Sequence, residues 1–316
     1  MNNFYCGLHI LVNFAELCDK VVKTFQNNTH ENEKLGAESR PETAIFTKGD
    51  ESGPIRRVRT ACKCLARGAD EKSGCYIDFK TFLNDKYSKP NKKTSNMLVP
   101  FRGNRFNIVF YDAEVVFWLA DDIVEFFTQV HEPTNRLQKA VLYDIKEDKL
   151  LAVVQALGLC SKVVTGPFWR ALESNDCTLE TANEIYQQLH VFLSEAKDDC
   201  SGVLCGEHMP FPDIIHEDEI YERLMKSDSY DGITCAVLQQ IFQSWFILLT
   251  KAAIDHLQGG RYETVDRALA EQTKSLPKHN KFPERVFALL DALTRFRPAA
   301  TTLCNEGYIM FSLNKT

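Results

Sequence analysis

The chain has 316 residues, 44% of them hydrophobic and 25% charged, with a net charge of −6 and a pI of about 5.8. This is the composition of a soluble globular protein, long enough for one large domain or two ordinary ones. It excludes a globally basic surface, so any nucleic-acid contact has to come from local patches.

The first run, Phe4 to Ala15, is apolar but too short to span a bilayer. It carries neither a basic n-region nor a small-residue cleavage site, so it does not read as a signal peptide. Leu8 to Phe25 reads as an amphipathic helix: Leu8, Leu11, Val12, Ala15, Val22 and Phe25 recur at helical spacing, opposite Glu16, Asp19, Lys20 and Lys23. Asn27 to Pro54 is polar and aperiodic, the pattern of a flexible linker. Helical patterns dominate from Ile55 onward. Arg56 to Arg67 reads as a short basic helix and Ile77 to Asn84 as another, followed by the breaker-rich Ser88 to Lys93. Asp112 to Val130 is strongly amphipathic, and Leu137 to Gly158 reads as two helices. Gly166-Pro167 starts the next, because proline suits the first helical position. Thr178 is the expected N-cap of a helix running to Ala196. Asp198 to Pro212 is a loop by composition. Helices are expected at Asp213 to Met225, at Thr234 to Leu257 with Gly259-Gly260 as terminator, at Tyr262 to Lys274 and at Pro283 to Arg295. Only Asn107 to Tyr111 and Tyr308 to Phe311 look strand-like, and both also suit helices. No segment beyond the amino terminus reads as a membrane helix, and no membrane partner is expected. The fold class expected is mostly α.

Eleven cysteines, an odd number spread over the whole chain, suit reduced thiols in an intracellular protein better than a disulfide framework. Cys6-x-x-His9 has metal-ligand spacing and sits on an apolar helical stretch, so it reads either as half of a zinc site or as two residues of a buried face. Cys200, Cys205 and His208 are its best candidate partners. Arg56, Arg57 and Arg59 form a basic face and Lys89, Lys92 and Lys93 a second patch, either a phosphate-contacting surface or a solvated one. Arg102-Gly103-Asn104-Arg105-Phe106-Asn107 is dense in donors, which fits a phosphate-gripping loop or a structural turn. Glu284, in the first turn of a late helix, reads as a residue favoured by the macrodipole or as a carboxylate for a divalent metal. No glycine-rich phosphate loop, G-x-S-x-G or H-E-x-x-H is present.

Taken in order, these elements resemble the hAT-like branch of the DDE transposases, and more broadly a group of transposon-derived animal proteins. Cys6 and His9 resemble that family's Cys-x-x-His. Arg105-Phe106-Asn107 resembles its Arg-Trp-Asn with Phe for Trp, and Glu284-Arg285 resembles the Glu-Arg that completes its acidic triad. Gly166 to Arg170 and Ile309 to Thr316 extend the likeness. The resemblance implies a ribonuclease-H-like core interrupted by a helical insertion. It also implies a nuclear location and Mg²⁺ chemistry in a complete family member. Two aspartates should precede the Cys-x-x-His, and the five residues before Cys6 include no acid, so Glu284 is a remnant of a triad. The expected layout is a remnant core helix at 1–27, a flexible linker at 28–54, a helical insertion at 55–275, and a last core helix with its tail at 276–316. The expected function is that of an inactive fragment, acting by protein interaction or by DNA-backbone contact through Arg56, Arg57, Arg59, Arg102 and Arg105. The alternative is a helical scaffold or adaptor unrelated to transposition, with zinc at Cys6 and His9. The apolar face of the first helix is expected either to re-bury against the helical domain or to stay exposed and drive self-association.

Overall fold

A computed structural model of the chain describes residues 7–29, 33–47, 49, 51–69, 72–87, 93–101, 107–174, 177–274 and 281–314. It is mostly α-helical, and no β-strand occurs among the described residues. Both strand-like stretches are helical.

The body is assembled around two long apolar helices. Helix α1 (Gly7–Thr29) lays Leu8, Leu11, Phe14, Cys18, Val22 and Phe25 in the core. Its seat is α12 (Asp231–Ala252), so its apolar face is re-buried against the helical body. Helix α2 (Gly53–Leu65) follows, then α3 (Tyr76–Lys86). Helix α4 (Ile108–Trp118) runs through a one-residue break at Leu119 into α5 (Ala120–Glu125) and a π turn, Phe126–Val130. Helices α6 (Arg136–Ile145) and α7 (Asp148–Leu159) are the expected pair. Helix α7 continues through a second π turn, Cys160–Thr165, into α8 (Gly166–Glu173). Then come α9 (Leu179–Ala196), α10 (Ser201–Leu204), α11 (Glu219–Met225), α12, and α13 (Arg267–Thr273). Helix α7 packs on α4, α2 and α12, and α12 also receives α9. The last two helices, α14 (Lys281–Phe296) and α15 (Thr302–Asn314), pack on each other.

Gly166-Pro167 opens α8 as expected, with the proline in its first turn, although α8 follows the π turn without a break. The π turn before it adds a residue, with the Gly166 N–H bonding Ser161 O, and this moves the proline ring away from the carbonyl it would strike in an α-helix. The resulting helix, Asp148–Glu173, and Asp231–Ala252 are both long and apolar enough by length and composition to cross a membrane, contrary to the sequence reading. Within the apolar window of Asp148–Glu173, 89% is buried in the body, as in a core helix; for Asp231–Ala252 the share is 39%.

The polar segment after α1 is also more than a linker. Its described part, 33–47, makes two 3-10 turns and buries Leu35, Ala37 and Thr43. It is fastened by Asp144 of α6, which accepts from the Ala37 N–H at 2.8 Å and from the Arg56 guanidinium at 2.8 and 3.1 Å. Gly36, at φ +56°, is required there, since a Cβ would collide with the Asp144 carboxylate. Thr178 caps α9 as expected, accepting from the Thr181 N–H at 3.1 Å.

The helices expected to begin at Asp213 and Tyr262 are shorter, starting at Glu219 and Arg267. Each begins at an aspartate cap, Asp218 or Asp266, whose carboxylate accepts from a first-turn N–H.

Candidate functional site

Asn107, Tyr111 and Glu114 recur at helical spacing and share one face at the start of α4. Opposite them the π turn and α8 present Ser161, Lys162, Gly166 and Arg170. Ile215, His216, Glu217 and Asp218, on the approach to α11, form the third wall, and Met97 closes one end. The result is a half-open cleft of about 660 Å³. π turns redirect side chains and recur at functional sites, and this one places Ser161 and Lys162 on the cleft.

A partly buried charge lattice holds the cleft in shape. Lys162 Nζ donates to both oxygens of Asp218 at 2.9 and 3.0 Å and lies 3.8 Å from Glu114 Oε1. Asp218 also caps α11 by accepting from the Tyr221 N–H at 3.0 Å. Burial pushes the Glu114 carboxyl up to about 7, against the pull of Lys162 and a hydrogen bond from Ser161. Burial likewise raises Tyr111 to about 12, and its hydroxyl donates to Met97 O at 3.2 Å. Arg170 donates to Ile214 O at 2.9 Å, and burial lowers it despite Glu114. Thr165 Oγ1 donates to Asn107 Oδ1, joining α4 to the π turn. Three acids, Glu114, Glu217 and Asp218, thus face Lys162, Arg170 and His216. The cleft suits a polar ligand carrying both charges better than a phosphate backbone, for which a basic excess would be needed.

Of the arginines predicted to contact nucleic acid, Arg56 and Arg57 are buried and Arg59 is half-buried. Arg56 is buried against Asp144, with Glu38 at 3.3 Å. Arg57 is also buried and donates to Ile145 O and Glu147 O, capping the carboxyl end of α6. Burial lowers it to about 10. Arg59 grips Glu51 at 2.5 and 2.6 Å. The helical period of Arg56 to Arg67 was legible, but the carboxylates that draw these cations inward lie on other segments. Arg102, Arg105 and Cys6 lie outside the described residues. Glu284 lies on α14.

His9 is exposed on α1. No group of three or more His, Cys, Asp or Glu side chains among the described residues is arranged to hold a metal. Cys200 is buried with its thiol on Cys235 O at 3.2 Å, Cys205 is exposed, and His208 sits 3.1 Å from Glu195. These three form no metal-holding group with His9 among the described residues.

Sequence reasoning missed Glu114, Lys162 and Asp218. The available signal was a polar residue inside an apolar run: Glu114 in Val109–Leu119, and Ser161-Lys162 in Leu150–Val164. The motifs it did single out, Arg105-Phe106-Asn107 and Gly166 to Arg170, are brought to one place, since Asn107, Gly166 and Arg170 all line this cleft. Compared with known families, curated proteins and solved structures, the chain matches no family model, no curated protein and no solved structure.

Proposed function

We propose that the chain is the helical part of a hAT-like, transposon-derived nuclear protein that does not cleave DNA and acts by binding another protein at the Asn107–Glu114–Lys162 cleft. The observation carrying this reading is the meeting of two motifs of the resemblance. Asn107, which ends Arg105-Phe106-Asn107, accepts from Thr165, the residue before Gly166-Pro167-Phe168-Trp169-Arg170. Protein binding is preferred to DNA-backbone contact because Arg56, Arg57 and Arg59 are spent on internal carboxylates and carbonyls. The mixed charge of the cleft points the same way.

Two experiments test the reading. The purified full chain is incubated with hairpin-ended DNA and Mg²⁺. Intact DNA is expected, and metal-dependent strand cleavage overturns the non-cleaving part. Peptides selected from a random library on the immobilised chain should lose binding to Arg170→Glu and resist competition by duplex DNA. Peptides indifferent to Arg170→Glu would remove the cleft from the proposal.

The second reading is a helical scaffold unrelated to transposition. The docking of α1, with His9, onto α12 inside an all-helical body favours it. The coding sequence upstream of Met1 separates the two: a continuous frame with two aspartates on strand-like segments supports the hAT-like origin, and its absence supports the scaffold. Zinc at Cys6 and His9 is decided by metal analysis, where a stoichiometry near zero removes it.

A further inference from the structure

Cys64 at the end of α2 and Cys75 at the start of α3 lie eleven residues apart, with their Sγ atoms 3.6 Å from each other. The Cys75 N–H donates to Cys64 O at 2.9 Å, so the two backbones are tied side by side. A disulfide bond is about 2.05 Å long, so closure needs about 1.5 Å of approach, within reach of side-chain torsions. The two cysteines differ in access: Cys75, 5% exposed, lines a half-open cavity of about 510 Å³ with Gly68, Ala69, Gly74 and Tyr76, whereas Cys64 is fully buried and does not line it.

We propose that Cys64 and Cys75 are a redox-modification site that forms a reversible intramolecular disulfide by exchange with a small-molecule disulfide. Cys75 attacks first. Its sulfur, after losing a proton to solvent, bonds one sulfur of the small disulfide, whose S–S bond breaks and releases one thiolate. Cys64 then loses its proton, attacks the Cys75 sulfur and expels the second thiolate. Two protein thiols are oxidised and one small disulfide is reduced to two thiols. The hydrogen bond to Cys75, and then burial, hold the Cys64 thiol well above its ordinary range, which suits a resolving rather than an attacking cysteine. The product straps α2 to α3 across the exposed turn at Arg67 and Gly68. It thereby fixes α3, whose Phe79 and Phe82 pack on Phe126 at 5.2 and 5.6 Å.

The test uses the full chain with its exposed thiols removed (Cys205→Ser, Cys304→Ser), treated with glutathione disulfide at mildly alkaline pH. Trypsin cuts at Arg67 and Lys72, between the two cysteines, so the bond appears as two peptides linked under non-reducing conditions and separated by reductant. A higher melting temperature for the oxidised form is also expected. With Cys64→Ser added, a lasting glutathione adduct on Cys75 should accumulate; with Cys75→Ser neither species should form. Cys64→Ala replaces Cys64→Ser if circular dichroism shows that variant unfolded, and the peptide map of the parent decides on its own in any case. The proposal is overturned if both thiols remain open to alkylation, if the link forms between Cys200 and Cys235 instead, or if the adduct persists on Cys75 while Cys64 is present.

Discussion

Trp245 Nε1 donates to the main-chain carbonyl of Phe14 at 3.0 Å, and the two rings stack at 4.3 Å with an interplanar angle of 11°. One pair of residues, 231 apart in sequence, thus seals α1 onto α12. Phe110 of α4 meets the same indole edge-on at 5.6 Å, so three helices converge on Trp245. Replacing Trp245 with Phe keeps the stacking and removes the donor, at about 1 kcal/mol. Trp245→Ala also opens a cavity, and the expected loss is about 3–5 kcal/mol. Urea unfolding of the two variants separates these contributions. In the Ala variant, protease should also release α1 early.

The Arg56–Asp144 pair is the second fastening. Both side chains are buried, and Asp144 additionally holds Ala37. Asp144→Asn takes away the buried counter-ion of Arg56 and leaves only the half-buried Glu38 beside it, and is expected to destabilise by about 3 kcal/mol. A joint Arg56→Met, Asp144→Leu replacement should cost less than either single change, because no fully buried charge is left uncompensated and Glu38, the other partner of Arg56, reaches solvent. Hydrogen exchange in residues 33–47 should rise in Asp144→Asn before global unfolding. If those amides exchange as in the parent, the segment is held by something other than Asp144.

How these two fastenings stand to the sequence is instructive. The apolar period of α1 showed which face would be buried, and Thr178 announced its own cap, because both signals are local. The basic period of α2 was equally visible, yet it says nothing of the sign of its surroundings. Asp144 lies 88 residues from Arg56, and only the packing of α6 on α2 brings them together. The polar run after α1 misled for the same reason, since two of its apolar residues, Leu35 and Ala37, are buried, and the turn carrying Ala37 packs on the distant α6. The cleft draws Glu114, Lys162 and Asp218 from three separate segments, and no spacing rule connects them. The π turn that aims Lys162 was hidden because Pro167 suits the start of a helix as well as the turn after a π bulge.

Gly158 controls the approach of α4 to α7. A Cβ there would lie 3.0 Å from the Cα of Glu114 and 2.9 Å from Leu224 Cδ2. The backbone contact cannot be relieved by a rotamer change, so Gly158→Ala should push the helices apart at about 1–3 kcal/mol. Since Glu114 is the residue displaced, the cleft should loosen as well. Denaturation gives the first effect; the second is read as faster exchange at the π turn, Cys160–Thr165.

Glu114 also sets a pH dependence. Its carboxyl is raised from 4.5 to about 7, chiefly by burial, and burial raises Asp112 of the same helix to about 7 as well. For an acid raised on folding, the unfolded chain gives up its proton first. Between about pH 4.5 and 7 the folded state therefore holds more protons, and stability falls as pH rises through that window. Above about 7 the group is ionised in both the folded and the unfolded chain, so the folded state bears the full penalty and the curve flattens. Glu114→Gln removes this contribution, so its stability relative to the parent should improve from pH 5 to pH 8 by about 2–3 kcal/mol. Asp112→Asn should act in the same direction, because Asp112 Oδ2 has no hydrogen-bond partner and the Val99 N–H, 3.2 Å from Oδ1, can bond the amide oxygen. Urea midpoints measured at four values between pH 5 and pH 8 decide it. Parallel curves for the parent and Glu114→Gln would mean that Glu114 is ionised in the folded chain throughout that range, with Lys162 outweighing burial.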